Sequence, residues 1–267
     1  MPAADSLDPA TALLSAAGLS KHFGGIKAVQ QASIHVPHGS ITGLIGPNGA
    51  GKTTLFNLLC NFLTPNEGTV TFDGDVIHMR QPHEIAQLGM VRTFQVARVL
   101  SKLSVLDNML LGAQQQSGET FWNVWFRANR VRHEEQHLRD RAIDILESVG
   151  LAPMAHAYAG ALSGGQRKLL EIARALMVKP KLVLLDEPAA GVNPTLIQQM
   201  CEYIRTWNAH GTTFLIIEHN MDVVMSLCDR VWVLAEGKNL AVGTPHDIQT
   251  NPQVLNVYLG IDNEPKS

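Results

Sequence analysis

The sequence predicts an α/β fold, in which a mainly parallel sheet flanked by helices carries an antiparallel β layer and an inserted helical subdomain. Three short runs are apolar almost throughout: Ile41–Ile45, Leu182–Leu185 and Phe214–Ile217. Strands that are covered on both faces, as in a parallel sheet, have this composition. Helices are predicted between them, because apolar residues recur there at helical spacing. One such set is Leu169, Ile172, Ala173 and Leu176.

The antiparallel layer is predicted from alternation near the start of the chain. Between Ala28 and Val36, apolar side chains alternate with polar ones, and Val70 and Phe72 alternate with threonines in the same way. This pattern is typical of strands that bury one face. A β layer attached to the parallel sheet is the most economical interpretation.

The stretch from about Ser101 to Ala161 differs from the rest of the chain. It has no convincing strand pattern, and it contains the apolar segment 121–126 followed by the charged segment 130–141. We interpret it as a helical subdomain inserted into the α/β core.

Composition and charge argue against several classes of protein. The net charge of −3 provides no basic face for nucleic acid. Cys60, Cys201 and Cys228 are far apart, which predicts buried thiols in a reducing compartment. No apolar run approaches the roughly 18 residues of a membrane span. We therefore expect a cytoplasmic protein that reaches a membrane only through a partner.

The strongest local signal is a segment that matches G-x-x-x-x-G-K-[ST] between a predicted strand and a predicted helix. Its glycines let the backbone approach a phosphate, its N–H groups face the anion, and its lysine neutralises the outer phosphates. The threonine after the lysine is expected to ligate Mg²⁺. A P-loop NTPase core is therefore predicted, with these nucleotide-binding residues: Gly46, Pro47, Asn48, Gly49, Ala50, Gly51, Lys52, Thr53 and Thr54.

Two acids end the apolar run Leu182–Leu185. Asp186 and Glu187 lie at the carboxyl end of a predicted parallel strand, where sheets of this kind bind ligands. Adjacent strand residues point to opposite sides, so the two acids can have separate roles. We expect Asp186 to serve the Mg²⁺ shell and Glu187 to orient or deprotonate the attacking water.

A second helix start also predicts an anion site. Ser163 and Gln166 form an S-x-x-Q capping box, but capping does not explain Gly164 and Gly165 between them. Bare backbone at a helix N-terminus binds anions. The chain thus carries two phosphate-binding helix starts, which is more than one triphosphate needs in one place.

These segments together resemble the ATP-binding cassette of ABC transporters. The resemblance extends from about Leu13 to Gly260, and Leu162-Ser163-Gly164-Gly165-Gln166 is highly specific to that family. It implies that two cassettes pack head to tail, with ATP between the P-loop of one and the signature of the other. We expect residues 12–260 to form the ATPase domain, with a disordered extension at 1–11, the helical subdomain at about 101–161 and a tail at 261–267.

The resemblance also assigns expected roles to individual residues. Phe23 matches the aromatic that stacks on adenine, although it could instead be a core residue of the β layer. Gln95 matches a glutamine that touches Mg²⁺ near the membrane partner, and His219 matches the switch histidine at the γ-phosphate. Asn193 stands where the family usually has aspartate. Whether Asn193 signals across the dimer or only caps a helix is left open.

A zinc-protease pattern, H-E-x-x-H, occurs at His133 to His137. Both histidines would share one helix face, as zinc requires. The flanking residues are charged all round, however, so we interpret this segment as a solvated surface helix.

Several details are similar to bacterial importers of branched-chain or neutral amino acids, among them 23–29, 92–95, the long insert and 251–260. That group implies a second ATPase subunit (a heterodimer, with a homodimer left open), two permeases and indirectly a periplasmic binding protein, at the cytoplasmic side of the inner membrane. Two alternatives are open: a related cassette for urea or lipopolysaccharide, and a non-transport ABC ATPase of DNA repair or translation.

Overall fold

The computed structural model describes residues 11–93, 99–113 and 128–259. The chain divides into two compact units. The first contains the segments up to Arg92, Lys181–Ala189 and from Arg205 onward; the second contains Thr93–Pro180 and Ala190–Ile204.

The first unit holds the strands, which form two sheets. Their bounds are β1 Ala12–Phe23, β2 Ile26–Pro37, β3 Ile41–Ile45, β4 Glu67–Phe72, β5 Asp75–Val76, β6 Met90–Arg92, β7 Leu182–Asp186, β8 Thr213–Ile217, β9 Arg230–Ala235 and β10 Lys238–Gly243. The smaller sheet is antiparallel, in the order β2-β1-β4-β5, and the larger has the order β10-β9-β3-β8-β7-β6. Within the larger sheet only the β9–β10 hairpin is antiparallel.

Helices occur in both units. Those of the first unit are α1 Lys52–Leu59, α2 Pro82–Gln87, α7 Met221–Leu227, α8 Pro245–Thr250 and α9 Pro252–Leu259. The second unit contains α3 Val105–Leu110, α4 Ala128–Ser148 and α5 Gly164–Ala175, with short 3-10 turns at Ala152–Met154, Ala159–Ala161 and Leu176–Val178. Helix α6, Pro194–Ala209, runs from the second unit into the first.

The core of the first unit lies between its two sheets and around α1. All five residues of β3, of β7 and of β8 are buried, as expected of parallel strands that are covered on both faces. Phe56 of α1 and Phe72 of β4 pack with Leu44, Leu184 and Leu234 of the larger sheet in one apolar cluster. This packing fixes α1, and with it the loop that precedes α1, against the sheet.

The α/β class and the antiparallel layer are therefore confirmed, while some elements differ from the prediction. Strand β1 was not predicted, because register shifts between Ala16 and Leu19 and again before Lys21 break its alternation, with Gly18 at φ 61°. The sequence predicts a helix from Thr54 to Phe62 after the P-loop, whereas α1 begins at Lys52 and ends at Leu59. The bounds of the predicted domains stay a prediction, and residues 1–10 lie outside the described residues.

Within the described ranges, no helix is both long and apolar enough to cross a bilayer. The three cysteines are buried, as predicted.

We expect Cys60 to be inert in the folded chain. Burial raises the pKa of its thiol to about 12, and only the thiolate reacts with iodoacetamide. At pH 8, alkylation of Cys60 should be slower by roughly two orders of magnitude or more than in the urea-unfolded chain, where the pKa is about 8.5. Peptide mass spectrometry after timed labelling measures both rates, and equal rates would contradict this account of the core.

Candidate functional site

Three adjacent strands of the larger sheet end at one edge, and the predicted site residues follow them. Ile217 of β8 is paired with Leu44 of β3 on one side and with Asp186 of β7 on the other. Because the strands are parallel, their carboxyl ends meet at the same edge. The P-loop, Glu187 and His219 therefore leave the sheet side by side.

The P-loop wraps tightly around the side chain of its own lysine. Lys52 is buried, and its Nζ donates to the carbonyl oxygens of Gly46 at 2.8 Å and Pro47 at 2.9 Å. Gly51 has φ 96°, and a Cβ there would lie 2.3 Å from the carbonyl oxygen of Ala28. Only glycine fits this approach, since both the backbone conformation and the space exclude a side chain.

The turn between β9 and β10 supports the loop from behind. The N–H of Gly237 donates to the carbonyl oxygen of Ala50 at 3.0 Å, and the carbonyl oxygen of Gly237 accepts from the N–H of Gln30 at 2.7 Å. Backbone hydrogen bonds thus join the β9–β10 turn to the P-loop on one side and to β2 on the other.

A cavity of about 470 Å³ opens at this edge. The described residues that line it all belong to the first unit: Ile26, Lys27, Ala28, Gln30, Asn48, Gly49, Ala50, Gly51, Lys52, Thr53, Thr54, Glu187, His219, Glu236 and Gly237. Phe23 ends β1 and is 47% exposed, with Lys21 Nζ 5.6 Å from its ring centroid. This exposure excludes the alternative that Phe23 is a core residue; its contact with adenine stays a prediction.

The electrostatics of the cavity favour an anion at Lys52. Burial lowers the pKa of the Lys52 ammonium, and the nearby Glu187 carboxylate opposes that effect. A phosphate in the cavity would add negative charge beside the ammonium and favour its protonated form.

Glu187 and His219 face each other across the ends of β7 and β8. His219 Nε2 lies 2.9 Å from Glu187 Oε1, and the two side chains are 38% and 18% exposed. Glu187 has φ 49°. A non-glycine residue in the left-handed region costs about 1–3 kcal/mol, and such residues cluster at active sites.

Asp186 is held from the side by a buried arginine. Arg92 Nη2 donates to Asp186 Oδ2 at 2.7 Å, and Arg92 Nη1 donates to Asn57 Oδ1 of α1 at 2.5 Å. The guanidinium also lies over the rings of Phe56 and Phe62, 5.4 and 5.7 Å from their centroids. Arg92 therefore links the helix after the P-loop to the acid at the end of β7.

The predicted magnesium ligands fit a hard cation as far as the structure describes them. Thr53 is among the residues that line the cavity, and Asp186 supplies a carboxylate at the end of β7. Hydroxyl and carboxylate oxygens suit Mg²⁺. Gln95 lies outside the described residues.

The signature segment lies in the second unit and begins α5. Ser163 Oγ accepts from the Gln166 N–H at 3.3 Å, and Gln166 Oε1 accepts from the Ser163 N–H at 2.9 Å, so the predicted capping box is confirmed. The two glycines differ in their surroundings. A Cβ on Gly165 would lie 2.3 Å from Leu196 Cδ2, whereas a Cβ on Gly164 would meet nothing within 4 Å.

Packing against α6 therefore explains Gly165 but not Gly164. The exposed backbone at Gly164 is available to a ligand or to another chain.

Two further predictions concern helix positions. Asn193 caps α6, since its Oδ1 accepts from the Leu196 N–H at 2.9 Å.

His133 and His137 stack edge to face on α4, with ring centroids 4.6 Å apart. In the described part of the chain, no group of three His, Cys, Asp or Glu residues could hold a metal ion.

Sequence reasoning missed two residues of this edge. They are Arg92, which lies three residues before Gln95, and Glu218, which adjoins His219. The available signal was a charged residue directly beside a motif at the end of a buried strand. That signal does not identify the partners of the residue, because they come from distant parts of the sequence.

Comparison with known proteins gives consistent results along the chain. A family model described as ABC transporter matches residues 29–190. A second, described as branched-chain amino acid ATP-binding cassette transporter, matches residues 238–262.

Curated relatives carry related names. The chain is 44% identical over 248 residues to a probable branched-chain amino acid transport ATP-binding protein LivG of Archaeoglobus fulgidus, covering 93% of this chain and 95% of that protein. It is 39% identical to the high-affinity branched-chain amino acid transport ATP-binding protein BraF of Pseudomonas aeruginosa, covering 93% and 98%.

Among solved structures, the chain resembles the ADP conformation of an ATP-binding cassette of an ABC transporter, with TM-score 0.81 and 39% identity over 93% of this chain and 99% of that one. A nucleotide-free cassette gives TM-score 0.80 at 38% identity, over 92% and 98%. The predicted P-loop NTPase fold class is thereby confirmed.

The Arg92–Asp186 pair generates a stability prediction. Both side chains are buried, at 8% and 5% exposure, and removal of one partner of a buried pair typically costs 3–5 kcal/mol. We expect Arg92→Met to lower the free energy of unfolding in urea by about that amount. The matched control is Arg80→Met, which removes the exposed Arg80–Asp75 pair and should cost under about 1 kcal/mol. Equal losses in the two variants would contradict the role assigned to Arg92.

Proposed function

This chain belongs to the ABC transporter family of ATP-binding proteins, and we propose that it is the ATP-hydrolysing subunit of an importer for branched-chain or neutral hydrophobic amino acids. The observation that carries the ATPase assignment is the convergence of Lys52, Glu187 and His219 on one cavity. The cargo assignment is supported by the names of the relatives and by the matched C-terminal segment.

The proposed chemistry is hydrolysis of the terminal phosphate of ATP. The P-loop N–H groups and the Lys52 ammonium bind the phosphates. The Glu187 carboxylate orients a water and accepts its proton as the water oxygen bonds to the γ-phosphorus. The bond from that phosphorus to the bridging oxygen breaks, and ADP leaves with the electron pair. His219 contacts the Glu187 carboxylate, and in this proposal it also contacts the γ-phosphate as the switch histidine.

Magnesium is the proposed metal cofactor. Thr53, Asp186 and Gln95 would hold it, with Asp186 acting directly or through water. When bound, the ion neutralises phosphate charge.

Assembly with a second ATPase subunit is proposed because the chain has two anion-binding helix starts. Lys52 begins α1 in the first unit, and Ser163 caps α5 in the second. One triphosphate would engage both if they came from different chains. A non-identical partner is proposed, with a homodimer as the alternative.

Two permeases, fed by a periplasmic binding protein, complete the proposed transporter. The second unit exposes Leu100, Leu111 and Tyr158, at 53%, 57% and 70%. We propose that these exposed side chains, together with Gln95, contact the permease at the cytoplasmic side of the membrane. The sequence leaves open whether Trp122, Trp125 and Phe126 join this surface or lie inside the insert, and they lie outside the described residues.

The chemical role of Glu187 can be tested by an amide in place of the carboxylate. Glu187→Gln should retain ATP binding but lose at least tenfold in turnover, or about 1.4 kcal/mol in the barrier. ATP affinity and kcat are measured on the purified transporter complex. Glu202→Gln, an exposed position on α6, is the control and should hydrolyse ATP at the wild-type rate. Mutant turnover near the wild-type rate would remove Glu187 from this role.

The two-chain arrangement predicts which site each substitution impairs. With the partner subunit present, Ser163→Arg should impair the site whose P-loop belongs to the partner, because an arginine there blocks the helix start. Lys52→Ala should impair the other site. Photolabelling of each P-loop with an ATP analogue distinguishes them. Full turnover by the isolated chain, independent of its concentration, would contradict the arrangement.

A further inference from the structure

A buried carboxylate directly precedes His219. Glu218 is 3% exposed and follows the last residue of β8. Its Oε1 accepts from the Ala189 N–H at 2.7 Å, and its Oε2 accepts from the N–H groups of His219 at 3.1 Å and Asn220 at 3.3 Å. Burial of a carboxylate is costly unless hydrogen bonds compensate it, and here three backbone donors do so.

These donors belong to the two segments that carry the proposed chemistry. Ala189 lies two residues after Glu187, while His219 and Asn220 continue from β8. The ladder between β7 and β8 ends near the N–H of Glu187, which donates to the Ile217 carbonyl oxygen at 3.0 Å. Beyond that bond, the Glu218 side chain connects the segment after β8 to the segment after β7 through its hydrogen bond with the Ala189 N–H.

The connection matters because Glu187 has a strained backbone. Its φ of 49° persists only where the surroundings hold it. The Glu187 N–H donates to the Ile217 carbonyl oxygen, and two residues later the Ala189 N–H donates to Glu218 Oε1. The main chain is therefore fixed on both sides of the Glu187 Cα. The Glu218 carboxylate also holds the main chain of His219, whose Nε2 is 2.9 Å from Glu187 Oε1.

We propose that Glu218 is a positioning residue, which sets the distance between Glu187 and His219 without touching substrate. This inference rests on the proposed function and adds a residue to its site. Both oxygens must accept at once, so a carboxylate of this length is required. Glutamine offers one acceptor oxygen, and its amide group would face an N–H donor. Aspartate is one methylene shorter and cannot span both segments.

The first test separates turnover from binding. In the purified transporter complex, Glu218→Gln should lower kcat at least tenfold and change the Kd for ATP less than twofold. The effect should shrink to under threefold in a His219→Ala background, because the contact that Glu218 positions is then absent. The control is Asp229→Asn, which alters a carboxylate that accepts the Ile41 N–H at 2.7 Å at the opposite end of β3. It should leave kcat within twofold.

The second test needs no turnover. Because glutamine keeps one acceptor oxygen, amide hydrogen exchange of the full-length Glu218→Gln chain should show protection lost on one side of the residue, either at Ala189 or at His219 and Asn220. Protection at all three amides should be retained in Asp229→Asn. Unchanged protection at these amides, or an unchanged kcat in a complex whose wild-type form hydrolyses ATP, would overturn the positioning role alone. A wild-type complex without ATP hydrolysis would overturn the proposed function and this inference with it.

Discussion

The parallel hydrogen bonds that join β3, β8 and β7 determine where every group of the candidate site can lie. Leu44, Ile217 and Asp186 occupy one row of the sheet, so the chain leaves the three strands at the same level. The lysine loop precedes Glu187 by more than a hundred residues of sequence, and His219 follows Glu187 by 32, yet the register places them around one cavity. A shift in register would disperse them, since each strand is buried and its side chains alternate between faces.

Around this edge, several residues have a strained backbone or a buried charge, and their contacts offset the cost in free energy. Glu187 adopts a left-handed backbone, Asp186 and Glu218 are carboxylates with little access to water, and Lys52 is a buried ammonium. Each has specific partners: Arg92 for Asp186, backbone N–H groups for Glu218, and P-loop carbonyls for Lys52. The partners come from distant segments, so the geometry of the site depends on the whole first unit. Strained and buried polar groups that are fully held in this way are typical of pre-organised catalytic sites.

Patterns within short segments predicted much of this arrangement. The apolar runs identified three central strands, and Ser163 with Gln166 and Asn193 with Pro194 identified two helix starts, because these signals are local. Strand β1 was missed because its bulges interrupt alternation. Arg92 and Glu218 were missed because their partners are distant in sequence: Asp186 ends β7, and Ala189 lies in the turn after β7. Gly164 and Gly165 look alike in sequence, and only the packing of Leu196 distinguishes them.

The central claim is that the cavity holds ATP and that a second cassette completes it. The most direct measurement is a crystal structure of the chain and its partner subunit with ATP and Mg²⁺ under conditions that prevent hydrolysis. We expect the Lys52 ammonium to leave the carbonyls of Gly46 and Pro47 and to contact the phosphates, with a signature helix of the other chain at the γ-phosphate. ATP bound away from Lys52, or a complete site formed within one chain, would contradict the account.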